Sequence, residues 1–405
     1  MPDIDVIYFN AGGGHRAAAR ALEALNAQQQ LGWSLRCINL FEILDPQRKF
    51  QQLAGIEPED LYNLRLKKGW TAGLAQELKL FQATIRLAHT LLVERLQQHW
   101  LASEPDLVLS LIPNFNLALV DSLNRVLPGV PFVTVMTDLA DHPPRFWIEP
   151  GTAQHVVCGT ARAEAQAQAM GVPPAQVHRV SGMLLHPDFH APLELDRAAE
   201  MQRLGLDPAR PTGIVMFGGH GSAAMETIAR ELDDVQLVLM CGHNDALAKR
   251  LAQRTTARTT RQTAKRAVGR GPAAPHAVLG FTREVRRHLQ LGDFFIGKPG
   301  PGSLSEAVHV GLPVITFRNT WTMPQERYNT DWVREHGLGL VLRSTRGVRA
   351  AALELLASLD AYRERVARVQ SRALFELPPI IDRVLAAGAG EATPMPRASE
   401  LLPAG

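Results

Sequence analysis

A glycine-rich turn with a histidine lies near the start of the chain, directly after a strand-like run. Gly13 and Gly14 precede His15, Arg16 and a segment rich in alanine and leucine. Glycines let a ligand approach the backbone, and the first turn of a helix offers unpaired N–H groups to an anion. The helix dipole at this end disfavours a histidine cation. His15 is therefore expected to stay uncharged near neutral pH.

A second group of polar turns lies in the C-terminal half of the chain, each directly after a strand-like run. Glycine loops and acids recur there, at Gly219, His220, Gly221 and Ser222, then at Lys298, Gly300, Gly302, Ser303 and Glu306, then at Gln325, Glu326 and Asn329. None of these loops carries Gly-Lys-Ser/Thr, which argues against a Walker-type NTPase. Ligands of open parallel sheets bind beyond the carboxyl ends of the strands, so these loops predict one cleft.

Two further polar residues follow a strand-like run of the N-terminal half. Asp138 is either part of the predicted cleft or the cap of a turn. His142 is either part of the same cleft or an ordinary loop residue before two prolines.

Short apolar runs alternate with helical patterns in two series, which is typical of βαβ units and predicts two doubly wound parallel sheets. Predicted strands lie at 4–9, 34–40, 106–111, 131–137 and 155–158, then at 212–217, 235–241, 276–280, 293–297, 313–317 and 338–342. The proline-rich stretch between the two series contains a linker at 191–211, which separates domains at 1–190 and 212–387. The second domain ends in helices, and 388–405 is expected to be a disordered tail.

Composition limits the class of protein. The chain has 405 residues, a formal net charge of +3 and three scattered cysteines without metal-ligand spacing. We therefore expect two domains, free thiols in a reducing compartment and no nucleic-acid partner. No secretion signal or spanning segment is visible, which leaves peripheral contact as the only expected membrane contact.

Two basic stretches fall outside this pattern. Residues 65–102 form an amphipathic basic region that either covers the sheet or lies on an anionic membrane. Residues 252–275 contain many Arg, Thr and Lys residues, so they form either a solvated loop or a patch for an anionic partner.

Taken in order, these motifs resemble the monogalactosyldiacylglycerol synthase family and, more distantly, the peptidoglycan N-acetylglucosaminyltransferases. The resemblance spans both halves of the chain and rests on segments that we list by their ranges: 12–17, 135–138 with His142 and Trp147, 218–219, 241–244, 280–282, 298–307 and 324–329.

The resemblance implies a GT-B fold, in which two Rossmann-like domains face each other across a cleft. The N-terminal domain would bind the acceptor and the C-terminal domain a nucleotide sugar, with no metal or other cofactor required. It implies an inverting hexosyltransferase, with a UDP-sugar as donor and a membrane lipid such as diacylglycerol as acceptor, placed peripherally on the inner face of the cytoplasmic membrane.

Roles for single residues follow from the matched motifs. Glu306 would accept hydrogen bonds from the ribose, Gln325 and Glu326 would bind sugar hydroxyls, and Phe281 would meet the base. The other expected donor-side residues are Thr282, Lys298, Asn329 and the glycine loops, whereas Gly13, Gly14, Arg16 and His142 would bind the acceptor. His15 would be the general base that deprotonates the acceptor hydroxyl, and Asp138 would be the alternative base or the group that orients His15.

Three other classes of function remain open from the sequence. One is a sugar-nucleotide epimerase similar to UDP-N-acetylglucosamine 2-epimerase, which also pairs Rossmann domains. Another is a non-catalytic protein that binds nucleotide sugars or lipids. The third is a flavin or NAD enzyme, because the first glycine turn also fits a loose dinucleotide pattern with Glu42 as the acid.

Overall fold

The computed structural model describes residues 1–10, 13–47, 74–262, 274–320 and 322–391. These residues form two six-stranded sheets in which every pair of neighbouring strands is parallel. The first sheet contains β1 (Asp3–Tyr8), β2 (Ser34–Asn39), β3 (Leu107–Ser110), β4 (Phe132–Val135), β5 (His155–Cys158) and β6 (Val177–Arg179). The second contains β7 (Thr212–Met216), β8 (Gln236–Met240), β9 (His276–Leu279), β10 (Phe294–Gly297), β11 (Val314–Phe317) and β12 (Gly339–Leu342).

Helices connect the strands and cover both faces of each sheet. Those around the first sheet are α1 (Gly14–Gln29), α2 (Leu40–Leu44), α3 (Leu74–Leu87), α4 (His89–Ser103), α5 (Asn116–Val126) and α6 (Ala161–Ala169). Next come α7 (Arg197–Arg203), α8 (Ala224–Glu231), α9 (Asp245–Gln262), α10 (Val285–Leu289), α11 (Pro301–His309), α12 (Arg327–Glu335), α13 (Val348–Ala357), α14 (Leu359–Ala367) and α15 (Ala373–Glu391).

Strand order shows that each sheet is doubly wound. The orders are β2-β1-β3-β4-β5-β6 and β12-β11-β10-β7-β8-β9. The chain therefore changes direction between β1 and β3 in the first sheet and between β7 and β10 in the second. Neighbouring loops leave in opposite directions at such a switch point and open a crevice at the carboxyl ends of the strands.

Burial of apolar helix faces holds each domain together. In α1, Ala18, Leu22 and Leu25 lie on one helical face and pack against β1 and β3, because residues three or four apart share a face. Helices α4 and α5 pack against the opposite face of the same sheet, around the buried Trp100. The second sheet has two corresponding clusters, one on each face.

The sequence prediction of two parallel sheets is confirmed, and each predicted strand overlaps an observed one. Strand β6 was missed because its three residues are too short to give an alternation pattern. The last helix corrects two expectations. It continues to Glu391 rather than ending before 388, and it packs in the core of the first sheet, not the second. The domain boundaries remain predictions, and residues 392–405 lie outside the described residues.

Candidate active site

His15 lies at the switch point of the first sheet. It occupies the first turn of α1, directly after β1, and its Nδ1 is 2.7 Å from the carbonyl oxygen of Leu111, which follows β3. A carbonyl can only accept, so Nδ1 carries the proton and Nε2 keeps its lone pair. The Thr137 hydroxyl lies 3.0 Å from the same Nδ1. The fold therefore orients His15 with its basic nitrogen directed away from the backbone.

Burial keeps the His15 imidazole neutral. Loss of solvation lowers the pKa of His15 to about 4, and the hydrogen bond to Leu111 offsets only part of that effect. The ring lies beside Phe9 and Trp147, with centroid distances of 6.3 and 6.0 Å. A neutral imidazole with a free Nε2 lone pair is the form that a general base requires.

Asp138 is a buried carboxyl group that contacts Trp147, whose ring also lies beside His15. The indole Nε1 of Trp147 donates to its Oδ2 at 3.0 Å. Burial raises the pKa of Asp138 to about 7, the indole hydrogen bond lowers it, and the negative charge of Glu326 raises it. Near neutral pH this group therefore changes between an acid and a carboxylate.

Asp141 shapes the loop that carries these residues, and the sequence analysis did not single it out. Its two carboxylate oxygens accept from the backbone N–H groups of Arg145, Phe146 and Trp147. Trp147 is thereby fixed in position to donate to Asp138. The signal that was available is an aspartate shortly before a proline pair, which is typical of a turn that the side chain stabilises.

The remaining acceptor-side residues line the same edge. Gly13 caps α1 with φ +86°, a conformation that favours glycine, and side chains added at Gly13 or Gly14 would meet no atom within 4 Å. The space in front of this turn is therefore open. Arg16 is exposed and its Nη1 lies 3.4 Å from Asn10 Oδ1. His142 precedes a cis proline, and burial together with the nearby Arg327 lowers its pKa.

The glycine loop after β7 is held rigidly by the turn after β8. His243 donates its backbone N–H to the carbonyl of Gly219 at 2.8 Å, and Asn244 donates its side-chain amide to His220 at 3.1 Å. Gly242 packs so closely that a Cβ there would lie 2.2 Å from the Gly219 oxygen. Ser222 accepts from the N–H of Ala224. Gly221 also has a positive φ of 58° and closes the loop.

Lys298 joins this loop from β10, at the switch point of the second sheet. A Cβ built on Gly218 would lie 3.5 Å from Lys298 Cε, and Lys298 Nζ donates to Glu326 Oε1 at 3.0 Å. The buried amide of Asn329 donates to the carbonyl of Pro299 at 2.7 Å and so anchors the loop that carries Lys298. A cation beside a glycine loop is the arrangement that stabilises phosphate oxygens.

Helix α11 begins at Pro301, three residues after Lys298. Gly300 is its N-cap, and Gly302 and Ser303 occupy its first turn, where backbone N–H groups lack helical partners. Glu306 follows one turn later, and burial raises its pKa to about 7. Gln325 lies in the turn before α12, with its amide 3.7 Å from Met323 Sδ.

Phe281 and Thr282 lie at the far side of the second sheet, after β9. The Phe281 ring is 56% exposed and stacks on His243, with centroids 3.9 Å apart and planes inclined by 18°. The Thr282 hydroxyl accepts from the N–H of Glu284, which directly precedes the next helix. His243 was matched to a motif by sequence, but its stacking on Phe281 was not foreseen because the two residues follow different strands.

The two halves of the site face each other. The charges of Lys298 and Glu326 in the second domain affect the pKa of Asp138 in the first, and the charge of Arg327 contributes to lowering the pKa of His142. Leu139 packs in the same core cluster as residues of the second domain. Among the residues that the structure describes, no group of three or more potential ligands is placed to hold a metal ion.

Solved structures of other proteins share this architecture and align with nearly the whole chain. A Staphylococcus aureus MnaA structure with UDP gives a TM-score of 0.55 at 15% identity and covers 98% of this chain and 99% of its own. Acinetobacter baumannii MurG gives 0.55 at 11% identity, with 95% and 100% covered. The fold is GT-B.

Proteins of similar sequence indicate which group of enzymes the chain resembles. A rice protein described as a probable monogalactosyldiacylglycerol synthase 2 is 31% identical over 54% of this chain and 44% of its own length. Monogalactosyldiacylglycerol synthase 1 of Arabidopsis thaliana is 26% identical over 85% and 62%. A Bacillus subtilis processive diacylglycerol beta-glucosyltransferase is 23% identical over 69% and 67%. The chain is a relative of the monogalactosyldiacylglycerol synthases, as its motifs predicted, although it spans only about half of the rice relative.

No protein-family model matches the chain. The GT-B architecture nevertheless explains the layout of the site, because both glycine turns lie at switch points whose strand ends face the same cleft. The structure thus brings Asp138 and His142 of the first domain near charged residues of the second, while the roles assigned to the site residues stay predictions.

Proposed function

We propose that this GT-B protein transfers a hexose from a UDP-sugar to the hydroxyl group of a membrane lipid such as diacylglycerol, with inversion at the anomeric carbon. One juxtaposition carries the proposal. A neutral His15, with Nδ1–H bonded to Leu111, lies at the switch point of the first sheet, and Asp138 of the same domain is close enough to Lys298 beside the glycine loop of the second for their charges to interact. The names of the curated relatives supply the substrate classes.

The proposed step begins with the acceptor hydroxyl. His15 Nε2 takes its proton as the oxygen attacks the anomeric carbon of the sugar. The bond between that carbon and the diphosphate oxygen breaks on the opposite face, and the nucleoside diphosphate leaves with the electron pair. Asp138, whose pKa lies near 7, is the alternative site for this proton.

The leaving diphosphate gains negative charge, which the second domain is arranged to stabilise. The first turn of α11 offers N–H donors beside the glycine loop, in which the N–H of Gly221 already donates to the Gly218 carbonyl, and Lys298 supplies a positive charge. Such groups need no rearrangement during the reaction because the turn at 241–244 already fixes the loop.

A lipid acceptor requires a membrane surface next to the first domain, and we propose that α3 and α4 provide the contact. Leu80, Leu87, Leu91 and Leu101 are exposed on these helices, together with the basic Arg86 and Arg95. Apolar side chains among basic ones suit an anionic bilayer surface. No helix within the described ranges is both long and apolar enough to cross a bilayer. Residues 65–73 of this region lie outside the described residues.

Free thiols at Cys37, Cys158 and Cys241 are consistent with a reducing compartment. We therefore place the protein peripherally on the inner face of the cytoplasmic membrane. Fractionation of cells at low and high salt would test this placement, since electrostatic peripheral binding is released by salt.

A transfer assay tests the proposed function. Purified protein is mixed with diacylglycerol-containing vesicles and each of several UDP-sugars, and both the glycolipid and the released UDP are measured. We expect one UDP-sugar to give glycolipid and UDP in equal amounts. Failure of every donor to yield glycolipid would contradict the proposal.

An epimerase of sugar nucleotides is the second candidate, because solved structures of that class share the fold. A putative UDP-N-acetylglucosamine 2-epimerase of Listeria monocytogenes gives a TM-score of 0.54 at 14% identity, which shows the fold alone. Conversion of UDP-N-acetylglucosamine in the absence of any acceptor would favour the epimerase. The transferase should leave that nucleotide sugar unchanged under the same conditions.

A further inference from the structure

A second large cavity opens between the two domains, beside the cleft but outside the residues assigned to it. Its volume is about 890 Å³. One wall comes from the first domain, at the ends of β5 and β6, and the other from α11 and α12 of the second domain. Leu139 and Ser305 line the cavity, and they are the sequence neighbours of Asp138 and Glu306, so the cavity adjoins the candidate active site.

The wall from the first domain carries two arginines without partners. Arg162 lies in the first turn of α6 and Arg179 ends β6, and both line the cavity. Neither guanidinium lies within ion-pair or hydrogen-bond distance of a residue that the structure describes, although the charges of Glu164 and Glu376 act on Arg179. A guanidinium group binds phosphate through a planar fork of N–H donors, so two such groups at one cavity offer positive charge to a ligand.

The same wall also presents backbone donors. Thr160 caps α6 by accepting from the N–H of Ala163, which leaves the N–H groups of Ala161 and Arg162 at the free end of a nine-residue helix. The positive end of the helix dipole therefore points toward the same space as the two guanidinium groups.

Acidic residues on the opposite wall do not neutralise this charge, because each already has a partner. Asp331 pairs with Arg318 and Arg334, and the carboxylate of Glu335 accepts from the Tyr328 hydroxyl at 3.3 Å. Of the cavity's charged groups, the first-domain arginines are thus the ones left for an incoming ligand.

We propose that this cavity is a binding site for a phosphate-bearing anion, held by Arg162, Arg179 and the N-terminal end of α6. The ligand chemistry is a phosphate or diphosphate group, which suits two guanidinium forks and free N–H donors. The group belongs either to a soluble molecule or to the headgroup of an anionic lipid. Because the opposite wall belongs to α11 and α12, a ligand that fills the cavity contacts both domains. The inference does not depend on the proposed reaction.

Titration calorimetry with inorganic pyrophosphate tests the site. All measurements use Lys298→Met protein as the background. This substitution removes the cation beside the glycine loop of the candidate active site and so suppresses pyrophosphate binding at that site. In that background we expect Arg162→Ala with Arg179→Ala to weaken the remaining pyrophosphate binding at least tenfold, since the charge-assisted hydrogen bonds from both guanidinium groups are lost. Both arginines are exposed, so the fold should be retained.

A matched pair removes the same charge elsewhere on the first domain. Arg20→Ala with Arg125→Ala changes two exposed helix positions that do not line the cavity, and it should leave the dissociation constant unchanged. Equal binding by the Arg162/Arg179 variant and the background protein would overturn the proposal. So would an equal loss in the control pair, because binding would then reflect only net charge.

Vesicles distinguish the two sources of the phosphate. Phosphatidylcholine vesicles with and without phosphatidic acid are added to the pyrophosphate complex in the same background. Displacement by the acidic vesicles alone would assign the site to a lipid headgroup, whereas persistence of bound pyrophosphate would assign it to a soluble ligand. Either result requires that binding depend on Arg162 and Arg179.

Discussion

Single side chains in this site have properties that depend on partners far away in sequence. His15 was proposed as a base because it begins a helix, but the structure gives two stronger reasons. Its neutrality comes from burial, and its tautomer comes from Leu111, which is 96 positions away. A sequence pattern could identify the residue but not these causes, since neither is local.

Asp138 makes a testable contribution to the pH dependence of stability. Its pKa is raised from 3.8 to about 7, so the folded state holds the proton more tightly than the unfolded state. Its contribution to stability is complete below about pH 4 and is lost as the pH rises through 7. Asp138→Asn should therefore stabilise the protein by about 1–3 kcal/mol near pH 8, and by little near pH 4.

Urea denaturation at several pH values measures this difference. Asp360→Asn, on the exposed face of α14, is the control and should show no such trend. A gain for Asp138→Asn that stays constant with pH would contradict the account of Asp138.

Variants of the ion pair between Lys298 and Glu326 distinguish a role in nucleotide binding from a role in the stability of the fold. Glu326 is almost fully buried, so Lys298→Met should leave an uncompensated carboxylate and destabilise the fold by about 1–3 kcal/mol, less than a fully buried pair because Lys298 is partly exposed. Adding Glu326→Gln should restore stability but not the affinity for UDP. Thermal unfolding and UDP titration together measure the two effects, and recovery of both would show that Lys298 has no role in donor binding.

At the scale of elements, alternation of strands and helices was enough to predict both sheets. The assignment of α15 failed because a helix at the end of a chain carries no pattern that says which sheet it covers. Its apolar face, including Leu374, Leu377 and Ile381, packs against the first domain. Which sheet a terminal helix covers depends on the path of the chain in three dimensions.

The contact between the β7 and β8 loops gives a prediction for one glycine. Gly242 has φ +59°, and a Cβ there would lie 2.2 Å from the Gly219 oxygen. Gly242→Ala should displace the glycine loop and raise the KM for the nucleotide sugar by roughly tenfold or more, with about 1–3 kcal/mol of lost stability. Gly347→Ala, in the same domain but with a negative φ and no close backbone contact, is the control.

KM values for both variants and wild type are obtained from initial rates over a range of donor concentrations. A normal KM in Gly242→Ala would mean that the loop tolerates displacement or does not bind the donor.

For the whole molecule, the sequence predicted a cleft between two domains but not which surfaces lie outside it. Apolar residues of α3 and α4 could equally have covered the sheet, and only the structure shows that part of them is exposed. Leu87 is 89% and Leu91 57% exposed. The cavity beside the cleft could not be foreseen either, because its walls come from six separated segments.

Membrane contact is therefore tested on these two leucines. Leu87→Ser with Leu91→Ser should reduce binding to anionic vesicles by roughly tenfold or more, because each buried leucine contributes about 1.5–3 kcal/mol. Vesicle sedimentation measures the bound fraction. Leu353→Ser, which changes an exposed leucine of the second domain, should bind as wild type does. Equal sedimentation of all three proteins would exclude this face as the membrane contact.

The central claim is that His15 is the base of a glycosyl transfer across the cleft. The direct test is the turnover number of His15→Ala with the preferred UDP-sugar and diacylglycerol vesicles. His155→Ala, a half-buried histidine at the opposite end of the first sheet, is the control. We predict that His15→Ala lowers kcat by about 10²–10⁴-fold, as loss of a general base does, while His155→Ala does not. Wild-type turnover by His15→Ala would contradict the claim.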